Sequence, residues 1–253
     1  MDNGVKASSV ISGQVREERR KHGMIFSGIY NSNSGVNNLN QFIAAEAITK
    51  DLNPVYGSIQ RLINRNTRLI MFCEDKVLRA DTNKDLLFNA DGNSQVVASN
   101  RVIGSAFPYT EKYGVSKNPE SIVITPSNIY FTDASRGRVL ALSNSGDGIR
   151  VISAKGMKDY FSDIFESYVY RAIGTYDARK NDYNLTITKK YASYQPKYHE
   201  AITATYSESS DGWVSFKSFI PQLGISLNNS YYTFHKGQLY EHHTNEKRNN
   251  FYD

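Results

Sequence analysis

Short runs of β-branched and aromatic residues, separated by a few turn residues each, recur from Leu69 to Tyr240, and this pattern restricts the chain to antiparallel hairpins. Leu69–Cys73 and Val77–Ala80 flank Glu74-Asp75-Lys76. Ser121–Thr125, Ile129–Asp133 and Arg138–Leu142 follow one another through Pro126-Ser127-Asn128 and Arg136-Gly137, and Asp147-Gly148 precedes Ile149–Ile152. Asp-Gly is a strong hairpin signal because Gly accepts positive φ. Tyr168–Tyr176 and Tyr183–Thr188 flank a polar loop at 177–182, and Ala201–Ser207 and Trp213–Phe219 flank another at 208–212. Tyr231–Phe234 and Gln238–Tyr240 meet at His235-Lys236-Gly237, which makes five strand-turn-strand units.

Such a meander must dispose of its edges, and radial repetition of antiparallel blades does so. The expected fold is therefore mainly β, an antiparallel β-propeller or part of one; at roughly 40–50 residues per blade the chain holds about five. A two-sheet sandwich is the alternative. The 18 Tyr and 12 Phe suit pleated sheet and contact surfaces. Two short helices are expected as packing pieces, because Leu39, Phe42, Ile43 and Ala47 share one helical face and Met157, Tyr160, Phe161 and Ile164 another. Residues 1–22 are polar and aperiodic and read as an arm, with the β domain spanning 23–253.

Thirty Lys and Arg against 25 acidic residues give a net charge of +5, a modest excess concentrated in part at Arg16–Lys21, where two Glu dilute it. Contact with nucleic acid would be through phosphates and without sequence preference. Cys73 is the sole cysteine, so no internal disulfide can form. No apolar run has the length of a signal-peptide core or a membrane span.

The search for chemistry returns no catalytic, cofactor or metal residues. His235, Glu241, His242 and His243 are the densest set of potential metal ligands, yet adjacent histidines on a strand point to opposite faces, so they are expected to be solvated hairpin residues. Asp81-Thr82-Asn83-Lys84-Asp85 begins like a calcium loop, but Leu86 stands where Gly is required and Gly92 where a bidentate Glu is required, which leaves a polar turn. No nucleophile elbow, P-loop, dinucleotide fingerprint or HExxH helix occurs. Cys73 closes an apolar strand and is expected buried and inert, and Trp213, Phe216 and Phe219 are expected in the core.

Several stretches taken in order carry a resemblance. GIYNSNSGVNNLNQFIAAEAITKDLNPVYGSIQRL (28–62), NKDLLFNADGN (83–93), YGVSKNPESI (113–122), IYFTDASRGRVLAL (129–142), IGTYDARKNDYNLTI (173–187) and GWVSFKSFIPQLGISLNNSYYTFHKGQLYEHH (212–243) resemble the tail stabilisation or muzzle proteins of crAss-like podoviruses and related tailed phages. The resemblance implies a non-enzymatic virion component with propeller-like domains. It also implies assembly in the host cytoplasm as a homo-oligomeric ring at the DNA-exit channel, beside other tail and portal-complex proteins. Members of that family are longer, so a fragment, split product or reduced member is expected. IYFTD followed by RGRVLAL is also similar to blades of YWTD, NHL and SMP-30-like propellers. This implies, as the alternative, a calcium- and ligand-binding or lactone-hydrolysing protein, with Glu74, Asp133 and Asp177 as candidate ligands.

Overall fold

A computed structural model describes residues 19–43, 48–88, 94–144, 148–166, 169–189 and 201–244. Most of the expected N-terminal arm, and Ala47, Asp147 and Tyr168, lie outside them. The chain divides into two compact units, residues 1–108 and 109–253.

In the first unit, β1 (Gly23–Ile25) pairs antiparallel with β2 (Thr49–Asp51). A four-stranded antiparallel meander follows, made of β3 (Ile59–Arg65), β4 (Arg68–Cys73), β5 (Val77–Phe88) and β6 (Ser94–Pro108). The β3–β4 turn is only two residues long, and Asn66 supplies the positive φ of 57° it needs. One face of the meander buries Met71, Cys73, Leu78 and Ala80 together with Leu52, and Met24, Tyr56 and Ile59 pack against them. Expectation and structure part twice. Asp81–Asp85 lies within the strand β5 rather than in a polar turn, and an extended backbone is not the tight loop that a calcium site of that type needs. Leu39–Ile43 forms no helix: Asn31 Oδ1 accepts from the Asn33 and Ser34 amides and Asn37 Oδ1 from the Leu39 amide, and such local bonds compete with helical ones.

The second unit holds three consecutive antiparallel meanders. The first comprises β7 (Val123–Ile124), β8 (Asn128–Asp133), β9 (Arg138–Ser143) and β10 (Ile149–Val151). The second comprises β11 (Val169–Asp177), β12 (Asp182–Lys189), β13 (Ala201–Ser207) and β14 (Gly212–Lys217). The third has three strands, β15 (Leu223–Leu227), β16 (Ser230–His235) and β17 (Gln238–Glu241). Asn228 and Asn229, both at positive φ, turn β15 into β16, and Lys236-Gly237 turns β16 into β17. The expected helix over 157–164 is present as α1 (Lys158–Glu166) and buries Phe161, Ile164 and Phe165.

Between the first two meanders lies a core of Tyr130, Val139, Ala141, Tyr183, Leu185, Ala204 and Tyr206, roofed by α1. Tyr130 and Tyr183 stack at 4.7 Å. β11 touches β7 and β8 on one side and β15 and β16 on the other, so the first strands of successive meanders lie beside one another. Glycines permit this approach: a Cβ on Gly174 of β11 would collide with the Ser121 carbonyl oxygen and Val123, and one on Gly224 of β15 would meet Thr175.

Candidate assembly interface

The polar residues of the second unit fasten its meanders to one another. Glu208, in the β13–β14 turn, reaches the β7–β8 turn, where its Oε1 accepts from Tyr130 OH at 2.7 Å, Thr125 Oγ1 at 3.0 Å and Asn128 Nδ2 at 3.3 Å, and its Oε2 from Ser127 Oγ at 2.7 Å. Burial pushes the Glu208 carboxyl up, but the bonds from Tyr130, Ser127, Asn128 and Thr125 outweigh it and hold the pKa below the ordinary carboxylate value. Burial, reinforced by the Glu208 carboxylate, drives the Tyr130 phenol well above its usual value, so it stays a donor.

The junction of the second and third meanders is built the same way. Thr175 Oγ1 and Tyr231 OH bond at 2.7 Å, and burial pushes the Tyr231 phenol up to about 12. Ser226 Oγ donates to the Tyr176 carbonyl at 2.7 Å and accepts from the Ala178 amide at 3.0 Å. His243 Nε2 meets the Asp177 carboxylate at 2.6 Å, while Asp177 Oδ1 accepts from the Arg179 amide.

The residues singled out as chemistry do not gather. His235 Nδ1 lies 2.8 Å from the Ile220 carbonyl oxygen, Glu241 accepts from Tyr232, and His243 turns to Asp177. The His242 ring packs on Phe219 and Tyr231 and bonds Thr233 at 2.7 Å, and burial, then the neighbouring His243, lowers its pKa. His242 is therefore a half-buried packing residue instead of a solvated one, whereas His243 is exposed and pairs with Asp177 from the surface. Asp133, fully buried, accepts from the Gly114 and Arg136 amides, Ser116 Oγ and Arg136 Nη1, which occupies its oxygens, and Glu74 accepts from Ser58 Oγ. No three His, Cys, Asp or Glu side chains converge as a cation would need among the described residues, so the calcium-binding alternative draws no support.

Cys73 is buried, and burial followed by the nearby Glu74 charge pushes its thiol up to about 11. Trp213 and Phe219 pack as expected, with Trp213 Nε1 donating to the Ile152 carbonyl at 3.1 Å and Phe219 against Tyr231. Phe216 does not: a bulge beside Trp213 returns it to the Trp213 face at the rim, where it contacts Tyr160 and stays 58% exposed.

What the described surface does offer is apolar. The outer face of the third meander carries Leu223, Ile225, Leu227, Phe234 and Leu239, all exposed. In the first unit, the irregular segment 25–43 exposes Tyr30, Val36, Leu39, Phe42 and Ile43. Isolated exposed apolar residues are ordinary, whereas runs of them are candidate contact surfaces. Sequence reading missed β15 and with it this face; the Asn228-Asn229 pair between LGISL and SYYTF was the available signal. No described helix is long and apolar enough to cross a membrane.

Comparison with curated proteins gives no match. The sequence model of one family, the Crassvirus muzzle protein, matches residues 25–237, which takes in segment 25–43 and the meanders through β16. The chain thus belongs to the Crassvirus muzzle protein family.

Proposed function

We propose that the chain is a non-enzymatic building block of the phage tail, acting in the muzzle and stabilisation assembly. Membership of the muzzle family makes it a phage structural protein, and that match over 25–237 is the observation that carries the reading. In this reading its sheets are blades of a complete or partial propeller; the support is the second unit, whose meanders follow in sequence and set first strand beside first strand. Copies of the chain associate in a ring at the DNA-exit channel, next to other tail and portal-complex proteins, and any contact with passing DNA is to phosphates. The polar joints keep each subunit stiff, so that its work is shape and assembly. Immunogold labelling of purified particles with antibody against the purified chain tests this: label at the tail is expected, and label confined to the head or absent from intact particles overturns it.

A further inference from the structure

Two surfaces of this chain share a signature. Segment 25–43 contains no Asp, Glu, Lys or Arg, in a protein where 22% of residues are charged. Its regular structure is Ile25 at the end of β1 and the Tyr30↔Asn37 bridge, and Tyr30, Val36, Leu39, Phe42 and Ile43 are each 46–55% exposed. Residues 218–234, which include β15 and most of β16, likewise carry no charged side chain. There the register lines up Leu223, Phe234 and Leu239 across three strands, with Ile225 and Leu227 continuing along β15, all 36–60% exposed. The other face of that sheet is spent, since Tyr231 and Thr233 are buried and Tyr231 is bonded to Thr175 of β11.

Depletion of charge together with exposed aromatic and aliphatic side chains marks the core of an interface. Each surface leaves on the order of 500 Å² of apolar area in water, the size of the largest and often functional patch of a typical monomer, and the two together approach the roughly 1,000 Å² that a specific contact needs. The shapes differ. The segment is a narrow bridged loop turned by Gly35 at φ 70°, and the sheet face is broad and pleated. Pairing each surface with itself would set loop against loop, whereas pairing one with the other covers both.

We infer that segment 25–43 of one copy docks on the β15–β17 face of a second copy, in a head-to-tail contact. This rests on the assembly reading above and gives it an interface. A contact between two different patches repeats from copy to copy and closes into a ring when the rotation between copies divides a full turn.

Two double variants of the full chain test it. Ile225→Lys with Leu239→Lys spoils the sheet face and keeps the segment; Phe42→Asp with Ile43→Asp does the reverse. By light scattering after size exclusion, each variant alone is expected to stay monomeric at concentrations about 100-fold above those at which the unmodified chain assembles, with Trp213 emission unchanged. An equimolar mixture is expected to form one-to-one dimers and nothing larger, because a single intact pair of surfaces remains. Should the lysine pair unfold, Ile225→Thr with Leu239→Thr replaces it, keeping strand propensity. An unmodified chain that assembles while both variants do too, or while the mixture stays monomeric, overturns this pairing and leaves the ring reading standing. An unmodified chain that is monomeric throughout overturns both.

Discussion

Replacing Glu208 by Ala isolates what one carboxylate contributes to the joint between the first two meanders of the second unit. Its four donors are not equivalent. Ser127 is exposed and would turn to water, and Thr125 Oγ1 keeps the Asn128 carbonyl at 3.0 Å. Asn128 Nδ2 keeps Tyr130 OH at 3.2 Å. Tyr130 OH, on a residue only 1% exposed, loses its acceptor Glu208 and becomes a buried unpaired donor. An orphaned buried donor costs about 1–3 kcal/mol, and bonds to a partly exposed carboxylate sit at the lower end of the charge-assisted range, so Glu208→Ala should cost about 2 kcal/mol. At about 2–4 °C per kcal/mol, the melting temperature should fall by about 4–8 °C. Trp213, the single tryptophan, lies in this unit, so its emission reports the relevant transition. Glu208→Gln retains an acceptor for Tyr130 and should lose about half as much. Because the folded carboxyl titrates below its ordinary 4.5, its stabilisation is full above that pH and fades as the pH falls through the folded value. Glu208→Ala should therefore remove part of the acid sensitivity. In a cycle with Tyr130→Phe the coupling should be about 1–2 kcal/mol. Additive losses, or an alanine variant within about 0.5 kcal/mol of the parent, would refute the reasoning.

Gly174→Ala should destabilise the second unit by about 2–3 kcal/mol, since its new methyl meets the Ser121 backbone carbonyl, which cannot swing aside; an unchanged Trp213 transition would contradict the close approach of β11 to β7. Cys73, with its thiol pushed up to about 11, should resist a disulfide-exchange reagent at pH 8 in the folded chain and react fully in denaturant, and rapid reaction of the native protein would show that it is not buried. His243→Ala should weaken docking of the third meander by about 1–2 kcal/mol, read as faster amide exchange in β15–β17 with β8 and β9 unaffected.

Strands whose signals are local were legible in the sequence. Glu74-Asp75-Lys76, Arg136-Gly137 and Lys236-Gly237 each mark a real turn between runs that are strands. The Met157–Ile164 spacing marks a real helix because Phe161 and Ile164 have a core to enter. The same spacing at Leu39–Ile43 misleads, since Asn31 and Asn37 just before it bind the backbone in competing turns and the apolar residues stay exposed. β3 and β15 were overlooked for a shared reason: each is joined to its neighbour by a two-residue turn in which Asn replaces Gly at positive φ, so no glycine marks the break. The joints were not legible at all. Glu208 and Tyr130 are 78 residues apart, and Asp177 and His243 are 66 apart, separations that become contacts only when successive meanders pack side by side.

The central claim, that the chain works by assembling, is tested most directly by sizing the purified chain by light scattering, with negative-stain imaging of the peak and calcium added to half of the sample. Closed rings of uniform size, the same with and without calcium, are the predicted result; a monomer that calcium stabilises would contradict the account.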